Sequence, residues 1–367
     1  MTGPERQNPS GGRSFWDHLA SPRSVVFFIL AYCLIHLAIR LSISPTFSLD
    51  ESEQLLFAQK LDWGYRFRHP PLITWIYASA EALGALNRPV FFLLKYTIMA
   101  LGYIAFHFAA LDVLKDNRLA AAATASWALV FYTAWGHHED LMHTVLLMSL
   151  LCASLWAFVR AIQRGGALNW ALFGASVGLG FLSKYVHIIL PVALVLAGLT
   201  IDLVRARMPV RGLLIAAGVA ILVVAPYAVW SFTFGYSLPE LAQDVTARGP
   251  QPGGIVQILL GLGALLLAFL EFWVPVLGLV FAACFFAVFR PSVRQSRIWT
   301  EDTRALTRLM ARTMGAALIL MAFAVFLAGA TYFKPRWMHQ IALVLPIWLF
   351  LQVQASGGPV AFARGWA

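Results

Sequence analysis

The chain has 367 residues, of which 60% are hydrophobic and 12% charged, and its formal net charge is +10. Soluble domains carry about 25% charged residues, so this composition excludes a soluble protein and indicates an integral membrane protein. Much of the positive charge follows the predicted membrane orientation described below. We therefore predict membrane lipid, and no nucleic acid, among its partners.

Ten apolar segments have about the length that a helix needs to cross the roughly 30 Å hydrocarbon core of a bilayer. The predicted spans are 24–43, 90–114, 119–135, 144–160, 168–183, 185–203, 212–231, 271–289, 313–332 and 338–354. The apolar stretch 254–289 is too long for one crossing, so we predict an interfacial or re-entrant helix near 254–269 before the eighth span. The predicted fold class is an all-α polytopic membrane protein with about ten transmembrane helices.

Lysine and arginine set the predicted orientation, because cytoplasmic loops of membrane proteins are enriched in both residues. One set of loops holds most of the 27 cations and is therefore predicted to be cytoplasmic. The loops predicted to face outward are 44–88, 136–143, 232–253 and 333–338. The predicted domains are a disordered cytoplasmic tail at 1–23, a transmembrane domain at 24–355 and a short tail at 356–367.

The first outward loop opens with two acids, Asp50 and Glu51, directly after the first span. A carboxylate at the boundary of water and lipid can take a proton from a hydroxyl nucleophile. A structural explanation is also open, because Ser48 and Glu51 fit a capping box at a helix N-terminus. We predict two interfacial helices in this loop, over 52–63 and 71–84.

The same loop continues with His69 before two prolines, flanked by Arg66 and Arg68. Basic residues in this arrangement fit either a solvated loop or a site for an anion such as phosphate. Both alternatives remain open from the sequence alone.

The second outward loop contains His137, His138, Glu139 and Asp140, with His143 three residues further on. These residue types raise the alternatives of a zinc site, a polar rim and an acid that assists acceptor binding. The spacing does not give a tetrahedral ligand pattern. We therefore predict no cofactor, with a divalent metal as the less favoured alternative.

Some of the basic residues on the outer face run against the expected charge distribution and are candidates for a function. Lys184 ends the fifth span in Leu-Ser-Lys-Tyr, and Lys334 and Arg336 lie in Lys-Pro-Arg-Trp between the last two spans. Lysines at the ends of spans commonly extend to the membrane interface, and we predict this for Lys95. Lys184, Lys334 and Arg336 together fit a site for a lipid-linked phosphate.

These motifs, in this order, resemble the GT-C glycosyltransferases. The resemblance is to the bacterial branch related to protein O-mannosyltransferases and to the lipid A aminoarabinose and galacturonic acid transferases, and it extends over about residues 24–350. It implies a GT-C-like fold and a polyprenyl-phosphate sugar as donor. Ser52-Glu53-Gln54 departs from the small and aromatic residues usual in the family after the acid pair.

The resemblance also implies roles for individual residues. The implied catalytic acids are Asp50, as the base, and Glu51 beside it. The residues implied to face the donor phosphate are His69, Lys184, Lys334 and Arg336. The residues implied to contact the acceptor or the sugar are His138, Glu139, Asp140 and Tyr185, although Glu139 stands where relatives often have proline.

The sequence thus predicts an inverting glycosyltransferase of the bacterial inner membrane with its active site facing the periplasm. The acceptor is a hydroxyl of a glycan, a lipid or a protein. One alternative is a secondary transporter, although transporters usually carry charges near mid-bilayer and internal repeats. A second alternative is a non-catalytic, lipid-binding membrane protein of the same fold.

Overall fold

A computed structural model describes residues 15–66, 69–130, 132–235, 252–273, 286–290, 293 and 297–357. The regular structure in these ranges is helical, and the prediction of an all-α fold is confirmed. The helices are α1 (Phe15–Leu19), α2 (Pro22–Ile43), α3 (Leu49–Ala58), α4 (Leu72–Ala82), α5 (Arg88–Leu114), α6 (Asn117–Ala125), α7 (His137–Glu139), α8 (Met142–Arg164), α9 (Ala167–Ser183), α10 (Ile189–Leu199), α11 (Asp202–Arg205), α12 (Val210–Thr233), α13 (Gly254–Trp273), α14 (Glu301–Ala328), α15 (His339–Ala342) and α16 (Leu345–Ala355).

Seven segments of the described chain are long and apolar enough to cross a membrane. They are α2, α5, α8, α12, α13, α14 and the segment Pro335–Ala355. Two shorter apolar helices, at Ala167–Ser183 and Tyr185–Leu199, add to these. The predicted count of ten is therefore not confirmed, although the multi-pass architecture is.

Two predicted spans differ from the structure. The segment 119–135 is broken into α6, a 3₁₀ turn at Ser126–Leu129 and a π-helical turn at Tyr132–Gly136, so it is not one continuous helix. Most of the predicted span 271–289 lies outside the described residues. The interfacial or re-entrant helix predicted near 254–269 is longer in the structure, because α13 continues to Trp273 and is long enough to cross a membrane.

The helix starts follow from local sequence. The side chains of Ser21 and Asn87 accept hydrogen bonds from backbone N–H groups at the starts of α2 and α5, each just before a proline in the first turn. Such caps satisfy backbone donors that have no partner within the helix. Of the segment predicted as a disordered tail, residues 15–19 form α1, and residues 1–14 lie outside the described part.

Helix α8 lies in the interior of the bundle, and most of its residues are buried. It packs against α5 on one side and α9 on the other, and α9 packs against α12. Gly174 allows this last approach, because a Cβ atom there would lie 2.2 Å from the carbonyl oxygen of Ala216. Helix α2 packs on α5, and α10 packs on α14.

The first outward loop forms two short helices, as predicted. Helix α3 covers 49–58 rather than 52–63, because Ser48 caps it three residues earlier than the amphipathic pattern suggests. Helix α4 covers 72–82 and contacts α3, α8 and α9. The loop is thereby held against the ends of the central helices.

Candidate active site

A cavity of about 890 Å³ lies where the first outward loop meets the ends of the central helices. Its walls come from α3, the turn at His69, the start of α8, the segment after Lys184, the C-terminal part of α14 and the turn Pro335–Met338. Six of the ten predicted site residues line it: Asp50, His69, Lys184, Tyr185, Lys334 and Arg336.

Asp50 is half-buried in the wall formed by α3. Within the described part of the chain, its carboxylate has no hydrogen bond and no ion-pair partner. Glu51, the next residue in α3, has entirely different surroundings, which are described below. Asp50 is therefore a carboxylate available to a bound molecule.

Lys184 follows α9 directly, and its ammonium donates a hydrogen bond to Oγ1 of Thr144 at 2.9 Å. Burial, together with the nearby charges of Arg336 and Lys334, lowers the pKa of Lys184 to about 7, although Asp50 acts in the opposite direction. These four residues are thus close enough to interact electrostatically. Lys184 belongs to this charged cluster and lines the cavity.

His69 forms another wall and stacks on His143, with 4.7 Å between the ring centroids. Nε2 of His143 lies 3.0 Å from the amide nitrogen of Gln54, and the amide oxygen of Gln54 accepts a hydrogen bond from Thr74 at 2.8 Å. This chain makes Nε2 of His143 an acceptor, because the Gln54 nitrogen can only donate. His69 is therefore supported by a neutral ring in the cavity wall.

Arg336 lies in the short 3₁₀ turn Pro335–Met338 between α14 and α15, and Lys334 directly precedes this turn. Nδ1 of His339 donates to the backbone oxygen of Arg336, which ties the turn to the start of α15. Trp337, in the same turn, also lines the cavity and packs edge-to-face against Phe333. The turn and the residue before it thus present two cations and an aromatic surface.

Tyr185 lines the cavity next to Lys184. Its hydroxyl lies 2.6 Å from the hydroxyl of Tyr227 in α12, so the two rings fix the chain between α9 and α10 to α12. The predicted contact with sugar or acceptor stays a prediction.

Glu51 is located away from the cavity, unlike its neighbour Asp50. Its carboxylate is fully buried and lies 2.9 Å from both the Lys95 ammonium and the Arg40 guanidinium. Although burial opposes ionisation, Lys95, the backbone N–H of Ser48 and Arg40 together hold the pKa of Glu51 below its usual value. Glu51 therefore does not line the cavity, and its predicted place beside Asp50 in catalysis stays a prediction that this geometry does not support.

Asp140 also lies outside the cavity wall. Its Oδ1 accepts a hydrogen bond from Oγ of Ser48 at 2.6 Å, which connects the second outward loop to the start of α3. Burial raises the pKa of Asp140, against the effect of the Ser48 hydrogen bond, and the charge of Asp50 raises it further. From this position Asp140 stabilises the loop beside Asp50, and it does not line the cavity.

His138 and Glu139 point elsewhere. Nε2 of His138 lies 2.7 Å from the Tyr32 hydroxyl, and its ring stacks on His36 of α2 at 3.9 Å. Glu139 is exposed and accepts a hydrogen bond from the Trp135 indole. Neither lines the cavity, so the predicted contacts of both with acceptor or sugar are not supported by this geometry. Among the described residues, no group of three or more His, Cys, Asp or Glu side chains is placed to hold a metal ion.

Sequence reasoning missed the parts that Lys95, Gln54 and His143 play around the site. Lys95 was expected at the membrane interface, but it is 1% exposed and paired with Glu51. A signal for this was available, because a charge within a membrane helix usually faces the bundle interior and has a partner. Gln54 and His143 carried no such signal, since their contact joins residues far apart in sequence.

Residues 68–230 match the family described as dolichyl-phosphate-mannose-protein mannosyltransferases. The lipopolysaccharide core galacturonosyltransferase RgtA of Rhizobium johnstonii is 30% identical over 90% of this chain and 64% of its own length. RgtB, of the same description and organism, is 27% identical over 91% of this chain and 66% of its length. The lipid A galacturonosyltransferase RgtD of that organism is 27% identical over 77% of this chain and 56% of its length. The chain thus spans less than two thirds of the length of these relatives.

The crystal structure of ArnT from Cupriavidus metallidurans bound to undecaprenyl phosphate is similar to 93% of this chain and 62% of that chain, with a TM-score of 0.62 at 16% identity. The apo structure of the same protein gives a TM-score of 0.55 at 18% identity, over 90% of this chain and 59% of that chain. Part of the chain, residues 68–230, is therefore similar to the dolichyl-phosphate-mannose-protein mannosyltransferases, and the chain has an ArnT-like GT-C fold.

Proposed function

We propose that this chain is an inverting glycosyltransferase that moves a sugar from a polyprenyl-phosphate donor to an acceptor hydroxyl on the extracytoplasmic face of the inner membrane. One observation carries the proposal: a single cavity contains the carboxylate of Asp50, which has no partner among the described residues, together with Lys184, Lys334 and Arg336. A base and an anion site in one cavity are the two elements that this reaction needs.

In the proposed reaction, Asp50 accepts the proton of the acceptor hydroxyl. The hydroxyl oxygen forms a bond to the anomeric carbon from the face opposite the phosphate. The bond between that carbon and the phosphate oxygen breaks, and the polyprenyl phosphate leaves with the electron pair. The transition state resembles an oxocarbenium ion, as in glycoside hydrolysis.

The cations act chiefly on the leaving group. The donor phosphodiester carries one negative charge, and the departing monoester gains a second as the bond breaks. Lys184, Lys334, Arg336 and His69 therefore interact more strongly with the transition state than with the bound donor, which is the condition for raising kcat. A bound phosphate also favours the charged form of Lys184.

We further propose that the donor sugar is a uronic acid and that the acceptor is a glycan or lipid hydroxyl of the cell envelope. The relatives are named as galacturonosyltransferases that act on lipopolysaccharide core or lipid A. Among the described residues that line the cavity, four are basic and two are acidic: Arg66, Lys184, Lys334 and Arg336, and Asp50 and Glu53. This excess of cations suits a donor that carries a carboxylate in addition to its phosphate.

The proposal is tested by transfer in lipid nanodiscs with a polyprenyl-phosphate uronic acid as donor and envelope lipid from a deletion strain as acceptor. Asp50→Asn is expected to lower turnover by at least about 10²-fold, the range of general-base catalysis, with donor binding retained. Asp62→Asn is the matched control, because Asp62 lies in the same loop but pairs with Lys60 and does not line the cavity.

The outcomes separate the alternatives. Equal turnover by Asp50→Asn and the wild type would remove Asp50 from the mechanism. Donor binding without turnover by the wild type would favour the non-catalytic, lipid-binding protein. The absence of donor binding would favour a transporter.

A further inference from the structure

Three charged side chains from three helices meet in the interior behind Asp50. Nζ of Lys95, in α5, lies 2.9 Å from Oε1 of Glu51 in α3, and Nη2 of Arg40, in α2, lies 2.9 Å from Oε2. The side chains of Glu51, Lys95 and Arg40 are 0%, 1% and 15% exposed. We call these three residues the buried triad.

The buried triad also fixes the segment that leads into α3. Oε2 of Glu51 accepts a hydrogen bond from the backbone N–H of Ser48 at 2.9 Å. Arg40 donates to the backbone oxygens of Ser44 and Thr46, at 3.1 and 2.8 Å. The Glu51 carboxylate therefore holds the chain between α2 and α3 in two ways: directly at Ser48, and through Arg40 at Ser44 and Thr46.

Successive residues of an α-helix point about 100° apart around its axis. Because Glu51 is directed into the bundle by Lys95 and Arg40, the rotation of α3 about its axis is set, and Asp50 is directed into the cavity. A change in this rotation would move the Asp50 carboxylate even if α3 stayed helical.

Stability alone is a weak explanation for a buried ion cluster, since replacing such a cluster with well-packed apolar residues is often neutral or stabilising. Its geometry offers a functional explanation. We propose that Lys95 is a positioning residue that holds Glu51, and through it α3, so that Asp50 meets the acceptor hydroxyl. Because it takes Asp50 as the base, this role of Lys95 rests on the proposed function.

The test uses the chain in nanodiscs with three variants: Lys95→Met, Lys95→Arg and the double variant Glu51→Gln/Lys95→Met. Each is assayed for kcat, donor Kd, the pH profile of kcat and the thermal midpoint. Lys95→Met is expected to lower kcat by about 10²-fold, the effect of displacing a catalytic group by about 1 Å. Donor Kd should change less than about threefold, because the phosphate-facing residues His69, Lys184 and Arg336 stay in place.

The other two variants separate positioning from folding. Lys95→Arg retains the charge and should recover most of the lost kcat. The double variant removes both charges of the Lys95–Glu51 pair and leaves Arg40, which is 15% exposed and keeps its hydrogen bonds to the backbone oxygens of Ser44 and Thr46. It should fold and still have a reduced kcat, so it replaces Lys95→Met if that variant does not fold. The pH profile of kcat in the double variant should keep the titration seen in the wild type, since Asp50 is still present.

Wild-type kcat in Lys95→Met or in the double variant, with only a lower thermal midpoint, would overturn the positioning role. A loss of the titration in the double variant would instead identify Glu51 as the titrating base and also overturn it. Asp50→Asn is assayed in parallel. If Asp50→Asn is inactive while Lys95→Met is fully active, only the role of Lys95 fails; if Asp50→Asn is fully active, the proposed function fails.

Discussion

Replacement of Lys184 by alanine should weaken donor binding and reduce its dependence on pH above pH 7. In the free protein, burial and the charges of Arg336 and Lys334 lower the pKa of Lys184 to about 7. A donor phosphate beside the ammonium raises that pKa, so the complex holds more protons than the free protein at and above pH 7. Donor affinity should therefore be highest below pH 7 and fall as the pH rises.

The size of the effect follows from the bond involved. A hydrogen bond to a charged group contributes about 1.5–3 kcal/mol, which corresponds to about ten- to a hundred-fold in Kd. This is the expected loss for Lys184→Ala at pH 6, and also the expected weakening of the wild type between pH 6 and pH 9. The donor phosphodiester keeps one charge throughout this range, so the change arises in the protein.

The measurement is calorimetric titration of donor and, separately, acceptor into the nanodisc-embedded wild type, Lys184→Ala and Lys60→Ala. Lys60 is the matched control, because it lies in the same outward loop, is 79% exposed and pairs with Asp62. Acceptor affinity should not change in either variant. Equal donor affinities for Lys184→Ala and Lys60→Ala at pH 6 would refute the phosphate-binding role, as would a wild-type donor Kd that is the same at pH 6 and pH 9.

Arg336→Ala should weaken donor binding and also shift the midpoint of the donor-affinity profile above the wild-type value, because Arg336 helps to lower the pKa of Lys184; an unshifted midpoint would contradict this coupling. EDTA should leave transfer unchanged, and a loss that one divalent ion restores would revive the metal hypothesis. Gly174→Ala should destabilise the protein by about 1–3 kcal/mol through overpacking against Ala216, measured by denaturant unfolding. Gly218→Ala is its control, since a Cβ there meets no described atom within 4 Å; equal stabilities would contradict the packing argument.

Much of the fold could be predicted from the sequence, because the apolar length and end charges of a membrane helix are local properties. The long helices α2, α5, α8 and α12 lie near their predicted positions. Breaks within an apolar segment were harder to predict. The segment 119–135 is apolar enough for a span, yet it is broken into short pieces, and its composition gives no indication of the break.

The candidate site was predictable where residue types depart from the general trend. Lys184, Lys334 and Arg336 break the positive-inside pattern, and all three line one cavity with Asp50. The separate positions of Asp50 and Glu51 were not predictable as clearly, because adjacent acids look alike until their helix is placed against Lys95 and Arg40. His138 and Glu139 have suitable chemistry for a ligand site, but their loop turns them toward α2 and solvent.

The most direct test of sugar transfer in this cavity is the stereochemistry of the product. The wild-type chain in nanodiscs would receive a polyprenyl-phosphate sugar of one defined anomer and an acceptor lipid, and NMR would give the configuration of the new glycosidic bond. Direct attack by the acceptor oxygen opposite the phosphate predicts the inverted configuration. A product that retains the donor configuration, or donor consumption without a glycosylated acceptor, would contradict the account.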